Sequence, residues 1–239
     1  QRMTQAHEAR IASLELSVAL NDTATDAEVL ERAVLKLQAH ALRYRKEVEL
    51  DQLEHFYVPL SAQRSDNPQA FRTDLQTNIM HFLLSTKKVC LLLGKAGSGK
   101  TTYGQLLEQQ LWQDYAAWSV DKAKGTVVLP IRIELKQYDL ASAATCLAHH
   151  LKAACDLTSR EIQVLKHSAY QLCVIFDGLD ELPGGGIPRL YMENRLATWG
   201  DQKCQAIIGC RPEYLAGHDH AALLGPGGEG NRLQLEEWY

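Results

Sequence analysis

Gly94, Gly99, Lys100 and Thr101 fall at the spacing GxxxxGK[ST] in the run Gly94-Lys95-Ala96-Gly97-Ser98-Gly99-Lys100-Thr101, with Thr102 next in line. Residue types in this pattern suit a chain of phosphates. Glycines let backbone N–H groups turn inward around phosphate oxygens, and a helix opening at this point offers its positive N-terminal end to the same anion. Lys100 is placed to reach β- and γ-phosphates. The Thr101 hydroxyl suits magnesium, a hard ion that takes a few protein oxygens together with phosphate oxygens and water. Residues 94–102 therefore form the candidate nucleotide-binding set.

A second run, Leu172-Cys173-Val174-Ile175-Phe176-Asp177-Gly178-Leu179-Asp180-Glu181-Leu182, delivers a carboxylate at the end of an apolar stretch and two more acids just beyond. This is a Walker B arrangement. Asp177 can hold magnesium directly or through water, while a nearby ionised acid can orient and deprotonate an attacking water. Gly178 cannot be that acid, which leaves Glu181, favoured for its longer reach, and Asp180 as second choice. A pair of helix-capping acids is the plain structural alternative. A third apolar run, Gln205 to Gly209, ends in Cys210-Arg211-Pro212. Pro212 keeps Arg211 out of a helix interior, so the arginine is available to sense a γ-phosphate.

These groups act together only if strands bring them to one edge. Beyond Pro59 short β-rich runs at Lys87 to Leu93, Thr126 to Leu135, Leu172 to Phe176, Gln205 to Gly209 and Arg232 to Leu235 alternate with helical stretches at 99–112, 139–155, 158–168 and 188–199. Alternation of this kind predicts an α/β fold, a five-stranded parallel sheet flanked by helices. All three motifs end apolar strands, and open α/β sheets bind ligands at strand carboxyl ends. Upstream, His7, Ile11, Leu14 and Val18 repeat at helical spacing, and Thr25 with Glu28 forms a capping box for a second helix carrying Leu30, Val34, Leu37, Ala41, Tyr44 and Val48. Residues 1–56 read as a helical hairpin and 57–239 as the nucleotide-binding domain. The apolar seam of the second helix predicts packing against its own domain, and Arg43, Arg45 and Lys46 read as a solvated face.

The GKAGSGKTT cradle at 94–102, the DGLDEL run at 177–182 and the IIGCRP strand end at 207–212 together resemble the NACHT domain of the STAND class of P-loop NTPases, the signalling ATPases of NOD-like-receptor type. The resemblance runs from about Phe56 to Tyr239, with Tyr57-Val58-Pro59-Leu60 as lead-in and Asn231 to Leu235 as last core strand. It implies that the strand ending at Arg211 lies between those ending at Lys100 and Asp177. It also implies ATP or ADP with Mg2+ as ligands, slow regulatory hydrolysis and self-association in the ATP state. Two departures stand out: Gly209 occupies a position where relatives commonly carry a hydroxyl, and the sequence stops after the fifth strand, short of a winged-helix region. With Gln1 as its first residue, the chain reads as a piece of a longer polypeptide.

A net charge of −4 gives no global attraction to nucleic acid or to an anionic membrane. No apolar run is long enough to span a bilayer, so a cytoplasmic location is expected. Six cysteines without a CxxC pair read as reduced and buried thiols. His218 and His220, flanking Asp219, lack a third ligand at useful spacing and read as a solvated loop. No NKxD-type guanine-reading tetrapeptide follows the cradle, and a small-molecule kinase has no evident need for paired acids after Gly178. The sequence thus points to a slowly hydrolysing ATP/Mg switch within a larger signalling protein. The alternative from a different class is a non-catalytic scaffold that holds ADP permanently.

Overall fold

The computed structural model describes residues 24–47, 58–64, 73–121, 127–184, 186–201, 203–216, 223 and 231–235. The proposed first helix around residues 7–18, the histidines at 218 and 220 and the proposed boundary at 56/57 lie outside or at the rim of these residues. In chain order the elements are α1 (Asp26–Glu47), β1 (Ser61–Arg64), β2 (Thr73–Asp74), α2 (Leu75–Leu83), β3 (Val89–Leu93), α3 (Lys100–Asp121), β4 (Val128–Glu134), α4 (Leu140–Ala143), α5 (Cys146–Ala153), α6 (Ser159–Lys166), β5 (Gln171–Asp177), α7 (Leu190–Glu193), β6 (Gln205–Cys210), α8 (Pro212–Leu215) and β7 (Asn231–Leu235).

The strands form one sheet in the order β2-β1-β7-β3-β6-β5-β4. β3, β6, β5 and β4 make a four-stranded parallel core, β7 adds a fifth parallel strand beside β3, and β1 and β2 continue the sheet in antiparallel sense. The five expected runs all become strands; the two short extra strands were not expected. β6 lies between β3 and β5, as the resemblance implied.

The central strand β3 is buried at every position, the pattern of a strand covered on both faces. Successive side chains point to opposite faces, and two separate cores result. Val89, Leu91 and Leu93 join Leu172, Val174 and Phe176 in a core covered by α5 and α6. Cys90, Leu92, Cys173 and Ile175 face the other way, against α2 and the Leu107 and Leu111 face of α3. Pro130 sits inside β4, where its missing N–H is tolerated because β4 is the last strand of the sheet.

α1 begins where its cap predicts: the Thr25 hydroxyl accepts a hydrogen bond from the Glu28 N–H, and Glu28 accepts one from the Thr25 N–H. Its Ala33, Val34 and Leu37 are buried in the same core as β3 and β5. Lys36 adds an ion pair to Glu161 at 2.9 Å and donates to the Asp156 carbonyl. The helix therefore packs on its own α/β body.

Three helical expectations are modified. α3 runs on to Asp121 instead of stopping near residue 112. The stretch 139–155 is broken into α4 and α5, because the buried Asn194 inserts its amide at the junction, accepting from the Leu147 N–H and donating to the Ala143 carbonyl. The stretch 188–199 holds only the four-residue α7 and a short 3-10 turn, separated by Arg195 at a left-handed φ of 52°. All six cysteines are free and buried.

Candidate functional site

The cradle grows out of the end of β3. The Gly94 N–H donates to the Cys210 carbonyl at the end of β6, which fixes the loop against the neighbouring strand. Gly97 and Gly99 have φ of 73° and 85°, values that glycine adopts without a Cβ penalty. The chain then enters α3 at Lys100, so the positive end of a 22-residue helix faces the loop. The Lys100 ammonium donates to the Gly94 and Lys95 carbonyls and to Ser98 Oγ. Partial burial depresses its pKa below the usual lysine value, opposed by Asp180 and Asp177.

β5 brings Asp177 to the same edge. Thr101 Oγ1 donates to Asp177 Oδ1 at 3.0 Å. Two oxygens in adjacent corners of an octahedron with bonds of about 2.0–2.1 Å stand about 2.9 Å apart, so this pair fits a magnesium ion. The donor set, a hydroxyl and a carboxylate beside a phosphate cradle, also suits that hard ion.

Immediately after Asp177 the backbone turns sharply. Gly178 takes φ 76°, and a 3-10 turn over Leu179–Glu181 follows, closed by the Glu181 N–H donating to the Gly178 carbonyl. Glu181 stays exposed at the rim. Asp180 goes elsewhere: it pairs with Arg211 Nε at 2.7 Å and accepts the Arg211 backbone N–H at 3.0 Å. Arg211 keeps 46% of its side chain exposed.

Ala96, Gly97, Ser98, Gly99, Lys100, Thr101, Thr102, Asp177, Asp180, Glu181 and Arg211 all line one cleft of about 230 Å³, together with Gly178. Two of the expected set stand apart, since Gly94 is buried beneath the loop and Lys95 is exposed. At Gly209, a Cβ would lie 3.7 Å from the Phe176 carbonyl and 3.8 Å from Asp177 Oδ1, in ordinary contact, so a Cβ fits there.

Sequence reasoning missed the groups behind Asp177. Arg132, in the middle of β4 and with only 4% of its side chain exposed, reaches Asp177 Oδ2 at 3.4 Å, Glu134 Oε1 at 3.2 Å and Glu108 Oε2 at 3.3 Å. Its guanidinium lies 4.1 Å from the ring centroid of Tyr44, a cation–π contact from α1. The Tyr44 hydroxyl donates to Glu134 and accepts from Gln105.

One cation thus serves three carboxylates. Burial lifts the Asp177 carboxyl above the ordinary aspartate value, although Arg132 and Thr101 pull it down. Burial lifts Glu108 likewise, against the pull of Arg132. Burial also works on Glu134, but the Tyr44 hydroxyl, Arg132 and Lys136 outweigh it and hold that carboxyl at about 2. The signal available in the sequence was an arginine and a glutamate two apart inside an otherwise apolar strand, an arrangement that burial permits only with partners.

A family model, the NACHT domain, matches residues 88–215. No curated protein matches the chain. Among solved structures, the chain is similar to the Aeropyrum pernix ORC1 protein in complex with DNA, at 15% identity and a TM-score of 0.46, over 66% of this chain and 42% of that one. This chain therefore spans less than half the length of that structure.

Proposed function

Since this chain belongs to the NACHT domain family and carries its P-loop nucleotide-binding module, we propose that it holds ATP with magnesium, hydrolyses it slowly and acts as a nucleotide switch within a larger signal-transduction protein. The observation that carries this reading is the 3.0 Å approach of Thr101 Oγ1 to Asp177 Oδ1 beside the cradle. Thr101 and Asp177 hold the ion, and Arg132 steadies Asp177 from behind. Magnesium, when bound, offsets negative charge on the β- and γ-phosphates.

Lys100 exchanges its loop carbonyls for phosphate oxygens. Glu181 orients the attacking water and accepts its proton, while the bond between the γ-phosphorus and the bridging oxygen breaks and ADP leaves. Asp180 is already engaged by Arg211, which favours Glu181 as the base. Arg211 senses the γ-phosphate by leaving Asp180. No helix among the described residues is long and apolar enough to cross a membrane. Self-association in the ATP state belongs to the same proposal and rests on family membership; a cytoplasmic location and the division into 1–56 and 57–239 are proposed from the sequence pattern.

The test uses two variants. Lys100→Ala abolishes nucleotide binding in calorimetry, and Glu181→Gln keeps binding while stopping phosphate release. Unchanged hydrolysis in Glu181→Gln would remove that residue from its role. One observation favours the non-catalytic ADP-holding scaffold: Arg211 is tied to Asp180 on both its backbone and side chain. Copurified ADP with no turnover at any protein concentration decides for the scaffold; hydrolysis that rises with association decides for the switch.

A further inference from the structure

On the opposite side of α1 from the solvent, three ligand-bearing side chains from separate segments converge. They are His40 on α1, His150 on α5 and Cys155 just past the end of α5. One ligand atom from each lies within 4.8 Å of the others. The two imidazoles meet edge to face with centroids 5.1 Å apart. His150 and Cys155 are buried, with 6% and 2% exposure. His150 Nε2 is enclosed and has no hydrogen-bond partner among the described residues. A buried polar nitrogen left in that state calls for a ligand, a water or an ion.

We infer that His40, His150 and Cys155 form a binding site for a borderline-soft divalent ion of the zinc class, which clips α1 to the α/β body. Two imidazoles and a thiolate suit zinc, and suit magnesium or calcium poorly, because those ions prefer oxygen. Tetrahedral bonds of about 2.0–2.1 Å to nitrogen and about 2.3 Å to sulfur set the ligand atoms roughly 3.3–3.6 Å apart. The observed separations, all within 4.8 Å, exceed the tetrahedral values by at most about 1.5 Å. The enclosed and unpartnered His150 Nε2 supplies one lone pair for the ion. Ligation would release the Cys155 Sγ proton to solvent.

The site is remote in chemistry from the phosphate cradle, whose donors are oxygens, and the inference does not depend on the nucleotide reading. The experiment uses metal-free protein titrated with Zn2+ and, in parallel, with Co2+ as a spectroscopic probe. One ion per chain is expected. Co2+ should give a thiolate charge-transfer band and the intense visible bands of tetrahedral geometry, and Zn2+ should raise the thermal midpoint.

Cys155→Ser should remove the charge-transfer band, and His40→Ala, at a partly exposed position, should weaken binding at least tenfold. Cys204→Ser, a buried cysteine elsewhere, should leave the band in place. No charge-transfer band with the unaltered chain, a band surviving in Cys155→Ser, or binding unchanged in His40→Ala would each overturn the inference.

Discussion

Replacing Arg132 by methionine removes one buried cation and leaves most of the packing volume. In the native chain that guanidinium stands 3.2–3.4 Å from Glu134, Glu108 and Asp177, all with about a tenth of their side chains exposed. Breaking a buried ion pair from one side leaves an uncompensated charge and costs about 3–5 kcal/mol. Glu134 keeps its Tyr44 hydrogen bond and its Lys136 partner at 3.2 Å, so Glu108 and Asp177 bear most of the loss. For a chain of this length the loss corresponds to roughly 6–20 °C in thermal midpoint.

The pH dependence separates charge from packing. In the native chain Glu134 titrates at about 2, below its ordinary 4.5, so its contribution is complete above 4.5 and is lost as pH falls towards 2. In the variant, Glu108 and Asp177 have lost the cation that opposed the lifting effect of burial. They take up protons more readily than when folded beside Arg132, and the variant gains stability as pH falls. The deficit against the native chain is thus largest at pH 7.5 and shrinks on acidification towards pH 5. Urea unfolding followed by the fluorescence of the four tryptophans measures it. Adding Glu108→Leu to Arg132→Met should restore a large part of the loss. A deficit below about 1 kcal/mol at pH 7.5, or one that does not change with pH, would refute the reasoning.

Three further outcomes follow from the same geometry. Mg2+-dependent nucleotide binding should weaken as pH falls through the raised Asp177 titration, above the range of an ordinary aspartate, because protonation removes the carboxylate that holds the ion; calorimetry across pH checks this against Asp177→Asn, which should be weak throughout. Gly178→Ala imposes φ 76° on a residue with a Cβ and presses that atom to 3.3 Å from Glu181 Cδ, so it should cost about 1–2 kcal/mol in urea unfolding and reduce hydrolysis more than nucleotide binding. Tyr44→Phe deletes the donor to Glu134 but leaves the ring on Arg132; a loss of roughly 1 kcal/mol is expected, together with a Glu134 titration that moves up from about 2 in carboxylate NMR.

The legible parts of this chain are those encoded locally. Val89 to Leu93 and Leu172 to Phe176 read as strands because every residue is apolar, and both prove to be buried on two faces. The Thr25 and Glu28 box spans one turn and starts α1 where it predicts. The cradle and the Asp177 strand end were visible because their spacing is itself the chemistry. What stayed hidden depends on contacts distant in sequence. Asn194 divides α4 from α5 from 47 residues away, and no pattern in 139–155 announces the break. Tyr44 meets Glu134 across 90 residues, so the seam position could be read as apolar packing but its hydroxyl partner could not. β1, with the sequence Ser-Ala-Gln-Arg, carries too little apolar alternation to signal a strand, and its pairing with β7 decides the matter. Reach alone ranked Glu181 ahead of Asp180; that Asp180 is engaged by Arg211 while Glu181 stays at the rim comes from the fold.

The outer margin of β4 bears on how copies of this domain can meet. Pro130 interrupts its row of amide donors, and Tyr44 from α1 leans over the Arg132 and Glu134 end. A neighbouring molecule attempting to extend the sheet at this border would find a missing donor. Assembly by strand annealing is therefore disfavoured along this border.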